Sequence, residues 1–418
     1  MSKYLIVGII LVVLVALLAT NKKLVETLKN IYKIEELRKR ILFTLGLLLV
    51  YRLGSFVTLP GVNHAALEAF TQSFADDNSL MGLLNVFSGG AFSQASIFAL
   101  GVMPYITASI IIQLMGIMVP YFRKMQREGE SGRRKMNQWT RFLTIGVLLL
   151  QAPAYLKTQV IPTGAVTQES MFIVTSTIIL IAGTMFIMWL GEKITDKGIG
   201  NGISLIIMIG IVARLPMAFL QEVTLKLGGA GSIIMLIVEL VFLALVFMFS
   251  IAIVQAVRKI PVQYAKRIVG NKQYGGVRQY IPLKLNAANV MPIIFAQALM
   301  FIPGLIWGGQ WLDIQGFWYN FTLAVLVIAF TYFYTAIIVN PQMMADDMKR
   351  NGGFIPGVKP GKSTVTYIDN IMTRITLPGS IFLAIITVLP AIAMTLGVNS
   401  SFAYFYGGTS LLIMVGVV

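Results

Sequence analysis

The chain has 418 residues, of which 57% are hydrophobic and only 12% are charged, and its mean hydropathy is +0.80. Soluble domains carry roughly 25% charged residues, so this composition indicates an integral membrane protein. The chain has no cysteine and one histidine, His64, which excludes disulfides, cysteine nucleophiles and multi-histidine metal sites. We therefore expect a protein that is not an enzyme and that binds neither a metal nor a cofactor.

Apolar stretches recur along the whole chain at the length that a membrane helix needs, about 20 residues. Ten long stretches and a shorter one at the end are predicted to be helical spans. They lie near 4–20, 41–58, 97–119, 139–156, 171–190, 202–220, 232–254, 286–307, 318–340, 371–396 and 409–418.

The basic residues are concentrated in alternate connections between these spans. Of the 33 Lys and Arg residues, 28 lie in 21–40, 120–141, 191–200, 255–285 and 341–374. The connection 60–96 has three acidic residues and no basic one. Because cytoplasmic loops are the ones enriched in Lys and Arg, the five basic segments are predicted to be cytoplasmic. This topology accounts for most of the net charge of +16.

The connection 255–285 is more basic than topology requires, with seven Lys or Arg residues, no acidic residue, and Tyr264, Tyr274 and Tyr280 between them. Two interpretations stay open at this point. The segment is either an orientation signal that contacts anionic lipids, or a docking surface for RNA or an acidic protein.

Few charges lie inside the predicted spans. Arg52 and Arg214 are near span ends, where we expect their long side chains to extend to the membrane interface. For Glu239 a contact with a partner within the membrane is favoured over a proton relay. The stretch 79–96 is apolar but too short and too rich in glycine to span, which favours a re-entrant segment. A secondary transporter would need a polar cluster at the midplane, and the sequence has none.

Several long motifs, spread over about 95% of the chain, resemble those of one family of membrane channels. They lie at 51–56, 59–61, 87–91, 95–106, 128–135, 198–204, 264–267, 282–284, 340–341, 356–357, 372–374 and 407–413. From about Leu24 onward the chain resembles the SecY family, whose members are channel subunits of the bacterial Sec protein translocase. This resemblance implies the fold, the site residues and the partners that follow.

The implied fold is an all-α integral membrane channel of ten helices, arranged as two inverted five-helix halves around a pore. Segment 21–40 is expected to be a cytoplasmic amphipathic start, 41–220 the first half with a plug at 81–92, and 221–418 the second half with an incomplete tenth helix. Segment 1–20 is outside the family pattern. We expect it to be an additional span. The alternatives are a signal peptide or a segment joined to the family sequence.

The resemblance implies four groups of site residues. The pore ring is Val102, Ile106, Ile203, Ile207, Ile294 and Ile413. The plug residues are Leu83, Leu84, Asn85, Phe87, Ser88, Gly89 and Gly90. Thr107, Gln113, Asn286 and Gln297 are candidates for the lateral gate, where interhelical hydrogen bonds of about 0.6 kcal/mol each would suit a gate that reopens. Docking of a motor or ribosome would use Lys266, Arg267, Lys272, Arg278 and Lys359.

The implied function is a passive, gated channel of the bacterial cytoplasmic membrane for protein export. It would move unfolded preproteins across the membrane and membrane-protein helices laterally into it. Expected partners are SecE and SecG-type subunits, the SecA motor, a translating ribosome, preproteins with signal sequences, and anionic lipids. At Asn271, Lys272 and Lys359 the chain departs from arginines of the family, and lysine lacks the bidentate fork of arginine.

Overall fold

The structure is a computed structural model, and it describes most of the chain from residue 33 onward. The described residues are 26, 33–63, 85, 88–163, 169–227, 233–264, 267–269, 272–274, 278–307 and 315–417. The predicted span at 4–20 lies outside these residues, as do Leu83, Leu84, Phe87, Lys266 and Asn271.

The described part is predominantly helical, with five strands. The helices are α1 (Glu35–Gly54), α2 (Met103–Met118), α3 (Pro120–Arg127), α4 (Glu130–Tyr155), α5 (Glu169–Lys197), α6 (Gly202–Leu225), α7 (Ile233–Gln255), α8 (Met291–Trp307), α9 (Phe317–Ile338), α10 (Pro341–Arg350), α11 (Lys362–Thr395), α12 (Ser400–Ala403) and α13 (Gly408–Val417). The strands are β1 (Val257–Tyr264), β2 (Arg267–Val269), β3 (Lys272–Tyr274), β4 (Arg278–Lys284) and β5 (Gly353–Phe354).

Each predicted span from residue 41 onward overlaps one of these helices, although several bounds differ by about five residues or more. Five helical segments are long and apolar enough to cross a membrane within the described ranges. They are Met171–Lys197, Gly202–Leu225, Ile234–Val254, Phe317–Arg350 and Lys362–Thr395. A sixth is added if the pair formed by α2 and α3, bent by 100°, counts as one span. The helical class is thus confirmed, whereas the count of ten spans stays a prediction.

The predicted span at 97–119 begins as a helix only at Met103. Residues 97–102 form turns. Gly101 has a positive φ of +53°, which lies outside the right-handed helical region. Pro104 lies in the first turn of α2, where a missing N–H costs no hydrogen bond. The helix therefore starts about six residues later than the apolar pattern alone indicates.

Contacts divide the chain into two compact units. The first contains the described residues up to Leu236 together with Asn399–Phe402, and the second contains the described residues of 237–398 together with Ala403–Gly416. In the first unit α2 packs on α4, and α5 packs on α4 and α6. In the second unit α9 packs on both α8 and α11.

Asparagine side chains fix the start of two helices that matter for the site. The Asn201 side chain accepts hydrogen bonds from the N–H groups of Ile203 and Ser204, at 3.1 and 3.4 Å, at the start of α6. Asn340 does the same at the start of α10. Because such caps satisfy N–H groups that have no partner inside the helix, they set the position at which each helix begins.

The basic connection 255–285 contains β-strands, which the sequence analysis did not predict. β1 pairs antiparallel with β4, from Val257 opposite Lys284 to Gln263 opposite Arg278. β5 adds to the other edge of β1 through Gln263 and Tyr264, which gives the order β4-β1-β5. This three-stranded sheet, called the basic sheet below, joins the two basic segments of the second unit.

Candidate functional site

The predicted plug contains a tight buried turn, residues 88–92, called the glycine turn below. Gly89 and Gly90 both have positive φ, at +65° and +96°, a conformation that glycine adopts without steric cost. The Gly90 N–H donates to the backbone oxygen of Asn85 at 3.0 Å, and the Ser88 hydroxyl donates to the same oxygen at 3.2 Å. Asn85 and Ser88 are both buried, so these bonds satisfy polar groups that have lost water.

Two neighbouring segments of the first unit bind the chain around the glycine turn. The Tyr155 hydroxyl donates to the backbone oxygen of Phe92 at 2.6 Å, and the two rings lie 4.7 Å apart. Downstream, the Leu59 N–H donates to Ala95 and the Ile97 N–H to Val57, each at 2.9 Å. These contacts connect the segment to the end of α4 and to the chain that follows α1.

Four of the six predicted ring residues lie in one apolar cluster of the first unit. Val102 is buried in this cluster, while Ile106, Ile203 and Ile207 are partly buried against it. Ile203 and Ile207 are four residues apart on α6 and therefore face the same side of that helix. The cluster also contains Ala91, so the glycine turn and these aliphatic side chains share one packing environment.

The remaining ring residues belong to the second unit. Ile294 is partly buried on α8, and Ile413 is buried on α13. A ring formed by all six residues stays a prediction.

The candidate gate residues differ in their hydrogen bonds. Thr107 donates to the backbone of Met103 at 3.1 Å, and Gln113 donates to Ser109 at 3.4 Å, so both bonds stay within α2. Gln297 on α8 accepts from Thr409 on α13, but at 3.5 Å this contact is long for a hydrogen bond. Asn286 is buried, and its side-chain oxygen has no hydrogen-bond partner among the described residues.

The basic sheet has one apolar face and many exposed charges. Ile260, Val262 and Leu283 pack with Met348, Ile355, Ile368 and Met372 in one core of the second unit. Arg258, Lys259 and Lys284 of the same strands are exposed. Tyr280, 57% exposed, lies among these charges. Because side chains alternate between the two faces of a strand, Lys259, Tyr280 and Lys284 lie on the face opposite the apolar core and form a basic, aromatic side that solvent reaches. Arg258 is exposed on the same face as Ile260, at the edge of the apolar side.

The predicted docking residues are distributed over this region. Arg267, Lys272 and Arg278 lie in β2, β3 and β4. Lys359 is exposed in the turn before α11, where its backbone oxygen accepts from the Thr364 hydroxyl at 3.0 Å. Since β5 precedes this turn and pairs with β1, the second basic segment is attached to the first.

Sequence reasoning missed the strands and the contact of Tyr155. An alternating signal for β1 was present, because Ile260 and Val262 are buried while Lys259 and Pro261 are exposed. For Tyr155 no local signal existed, since its acceptor Phe92 is 63 residues away in the chain.

The fold and the site define a multi-pass helical membrane protein with a buried glycine turn, an aliphatic cluster beside it and an exposed basic sheet. The sequence model of the SecY family matches residues 96–418. The chain therefore belongs to the SecY family.

Curated relatives support this assignment over most of the chain. The protein translocase subunit SecY of Streptomyces scabiei is 41% identical over 418 residues, covering 92% of this chain and 93% of the relative. The same subunit of Halalkalibacterium halodurans is 43% identical and covers 94% of each chain.

Solved structures show the same fold at low sequence identity. A structure described as that of a protein conducting channel is 17% identical, has a TM-score of 0.60, and covers 90% of this chain and 89% of its own. The idle yeast Ssh1 complex bound to the yeast 80S ribosome is 15% identical with a TM-score of 0.61, covering 90% and 87%.

Proposed function

We propose that this chain is the channel subunit of a bacterial protein translocase. It is a multi-pass protein of the cytoplasmic membrane through which unfolded preproteins cross and from which membrane-protein helices enter the lipid. The observation that carries this proposal is the aliphatic cluster of Val102, Ile106, Ile203 and Ile207 directly beside the buried glycine turn.

The chemistry of this cluster suits a passive channel. Branched apolar side chains can close around a moving polypeptide without binding it, because they offer no hydrogen-bonding group. An apolar constriction also excludes water, and ions therefore meet a barrier. With Ile294 and Ile413 added from the second unit, the proposed ring has six aliphatic members. The glycine turn is the proposed plug that covers this constriction while the channel is idle.

The basic sheet supports a role as the docking surface for the driving partner. Its exposed charges and tyrosine match what an acidic protein surface or ribosomal RNA would recognise. Two structural relatives are described in complexes with ribosomes, one from canine endoplasmic reticulum and one from yeast. We extend this to a translating ribosome and to the SecA motor here, and we propose SecE and SecG-type subunits as partners within the membrane.

The proposed lateral gate uses polar residues of the membrane helices, and the docking surface uses basic residues outside them. Thr107, Gln113, Asn286 and Gln297 are proposed to set the stability of the gate, and anionic lipids to bind the basic cytoplasmic segments. These assignments depend on the family resemblance and on polarity inside the membrane, where each hydrogen bond contributes little and is easily exchanged.

Reconstitution tests the proposal directly. The full chain is placed in vesicles with SecE and SecG, the SecA motor and ATP are added outside, and protection of a preprotein from protease is measured. We expect protection that requires the motor, ATP and a signal sequence on the preprotein. Vesicles that contain the accessory subunits without this chain are the control. Absence of protected preprotein, with the complex correctly assembled, would contradict the channel function.

A further inference from the structure

Arg52, at the end of α1, contacts the glycine turn directly. Its guanidinium Nη1 donates to the backbone oxygen of Gly89 at 2.9 Å. The same guanidinium lies 5.0 Å from the centre of the Phe56 ring. We expected this side chain to extend to the membrane interface, but the structure gives it an acceptor within the protein. A hydrogen bond from a charged donor is stronger than one between neutral groups.

Helix α6 approaches the turn from a second side. A Cβ placed on Gly89 would lie 2.9 Å from the Cα of Gly210, so the two backbones are in close contact there. A Cβ on Gly90 would lie 3.3 Å from both Nε and Nη2 of Arg214. The glycine turn therefore contacts α6 at Gly210 and Arg214, and these two residues are called its seat below.

This seat lies on the same face of α6 as the proposed ring residues. Ile203, Ile207, Gly210 and Arg214 follow spacings of four, three and four residues, which place all of them on one side of a helix. At a rise of about 1.5 Å per residue, Gly210 is roughly 4.5 Å beyond Ile207 along the axis. One helix face thus carries two ring residues and, just beyond them, the contact with the glycine turn.

The two arginines approach neighbouring glycines of the turn, since a Cβ on Gly89 would lie 3.0 Å from Nη1 of Arg52 and a Cβ on Gly90 would lie 3.3 Å from Nε of Arg214. Neither forms a salt bridge within the part of the chain that the structure describes. The backbone oxygen of Gly89 accepts a hydrogen bond from one of them, and the glycine backbone is packed against the other. The turn is therefore held by one hydrogen bond and by close packing. Within the described residues no salt bridge fixes either arginine in place.

We propose that Arg52 and Arg214 are positioning residues that keep the glycine turn on α6 while the channel is idle. This inference rests on the proposed function, since it assumes that the turn covers the pore. The bond to Gly89 can be exchanged for water when a polypeptide enters.

The test uses the assembled translocase and the absence of native cysteine. Ser88 is buried in the turn, and Ser88→Cys reports through its rate of labelling by a membrane-impermeant thiol reagent. In this background we expect Arg52→Gln to raise the labelling rate and the idle ion conductance about tenfold, the effect of losing one charge-assisted hydrogen bond. Arg214→Gln should produce a smaller increase, and Arg52→Lys should restore part of the protection.

The matched control is Arg40→Gln on the same helix, since Arg40 is exposed and pairs with Glu36 at 2.8 Å. It should leave labelling and conductance unchanged. Equal labelling of the Arg52→Gln, Arg214→Gln and Arg40→Gln variants, all present in the membrane at the parent level, would overturn the inference. Preprotein protection is measured in parallel. If the translocase with native arginines does not protect the preprotein, the channel function is refuted. If it protects the preprotein but the arginine variants label at the same rate, only the role of the arginines is refuted.

Discussion

The glycine turn and the basic sheet differ in which of their groups are buried. The turn buries polar atoms, whereas the sheet buries apolar side chains. The turn buries its polar atoms, and backbone or arginine groups satisfy them, as at Gly89 and Ser88. The sheet buries only its apolar side, through Ile260 and Val262, and leaves Arg258 and Lys259 in solvent. The turn therefore keeps its polar atoms inside the protein, as the proposed plug requires, whereas the sheet leaves its charges accessible, as the proposed docking role requires.

The largest effect is expected from the core of the basic sheet. Ile260 of β1 is only 2% exposed and packs with Ile368 and Met372 of α11. Ile260→Ala should destabilise this region by about 2–5 kcal/mol, because it leaves a cavity in a packed core. Hydrogen exchange of β1 and β4 should become faster, and motor binding should be lost. Ile260→Val, at about 0.5–1.5 kcal/mol, is the graded control. Unchanged exchange in both variants would contradict the packing argument.

The next effect concerns the glycine turn. In Gly89→Ala the new Cβ would meet Gly210, and the left-handed backbone alone would cost about 1–2 kcal/mol. We expect faster thiol labelling at Ser88→Cys and a higher idle conductance, with binding of the motor unchanged. Gly129→Ala is the matched control, because Gly129 also has positive φ, at +70°, but has nothing within 4 Å. If both alanine variants behave alike, the close contact with Gly210 is not what matters.

These two regions also differ in how far the sequence could predict them. The spans from residue 41 onward follow from hydropathy, since a membrane helix needs a long apolar stretch. The position of Gly89 in a plug follows only from the family resemblance. The strands of the basic sheet were missed because their charges dominated the composition of 255–285 and obscured the alternation of Ile260 and Val262. The Arg52 contact was missed because its acceptor lies 37 residues away.

A smaller effect is expected from a charge on the docking side. Lys359 is exposed, so Lys359→Glu should not change stability, but it reverses one charge of the proposed docking surface. We expect about tenfold weaker binding of the motor at low salt, a difference that shrinks as salt screens the charges, and loss of motor-driven export with channel assembly intact. Lys39→Glu, on α1 and outside the sheet, is the control. Normal export by Lys359→Glu would refute the assignment of this turn.

The smallest effect is expected at Thr107 in the proposed gate, because its hydrogen bond stays within one helix, unlike the bonds that join the glycine turn to other segments. The hydroxyl donates to Met103 within α2, so Thr107→Val removes a bond that links no second helix. Because valine has nearly the same shape and the lost bond is local, the gate should shift by less than about 0.6 kcal/mol. Selectivity for signal sequences, measured as export of preproteins with graded signal hydrophobicity, should therefore change less than threefold. A small but measurable change would support a role of Thr107 in the proposed gate, and no change in selectivity would count against that role.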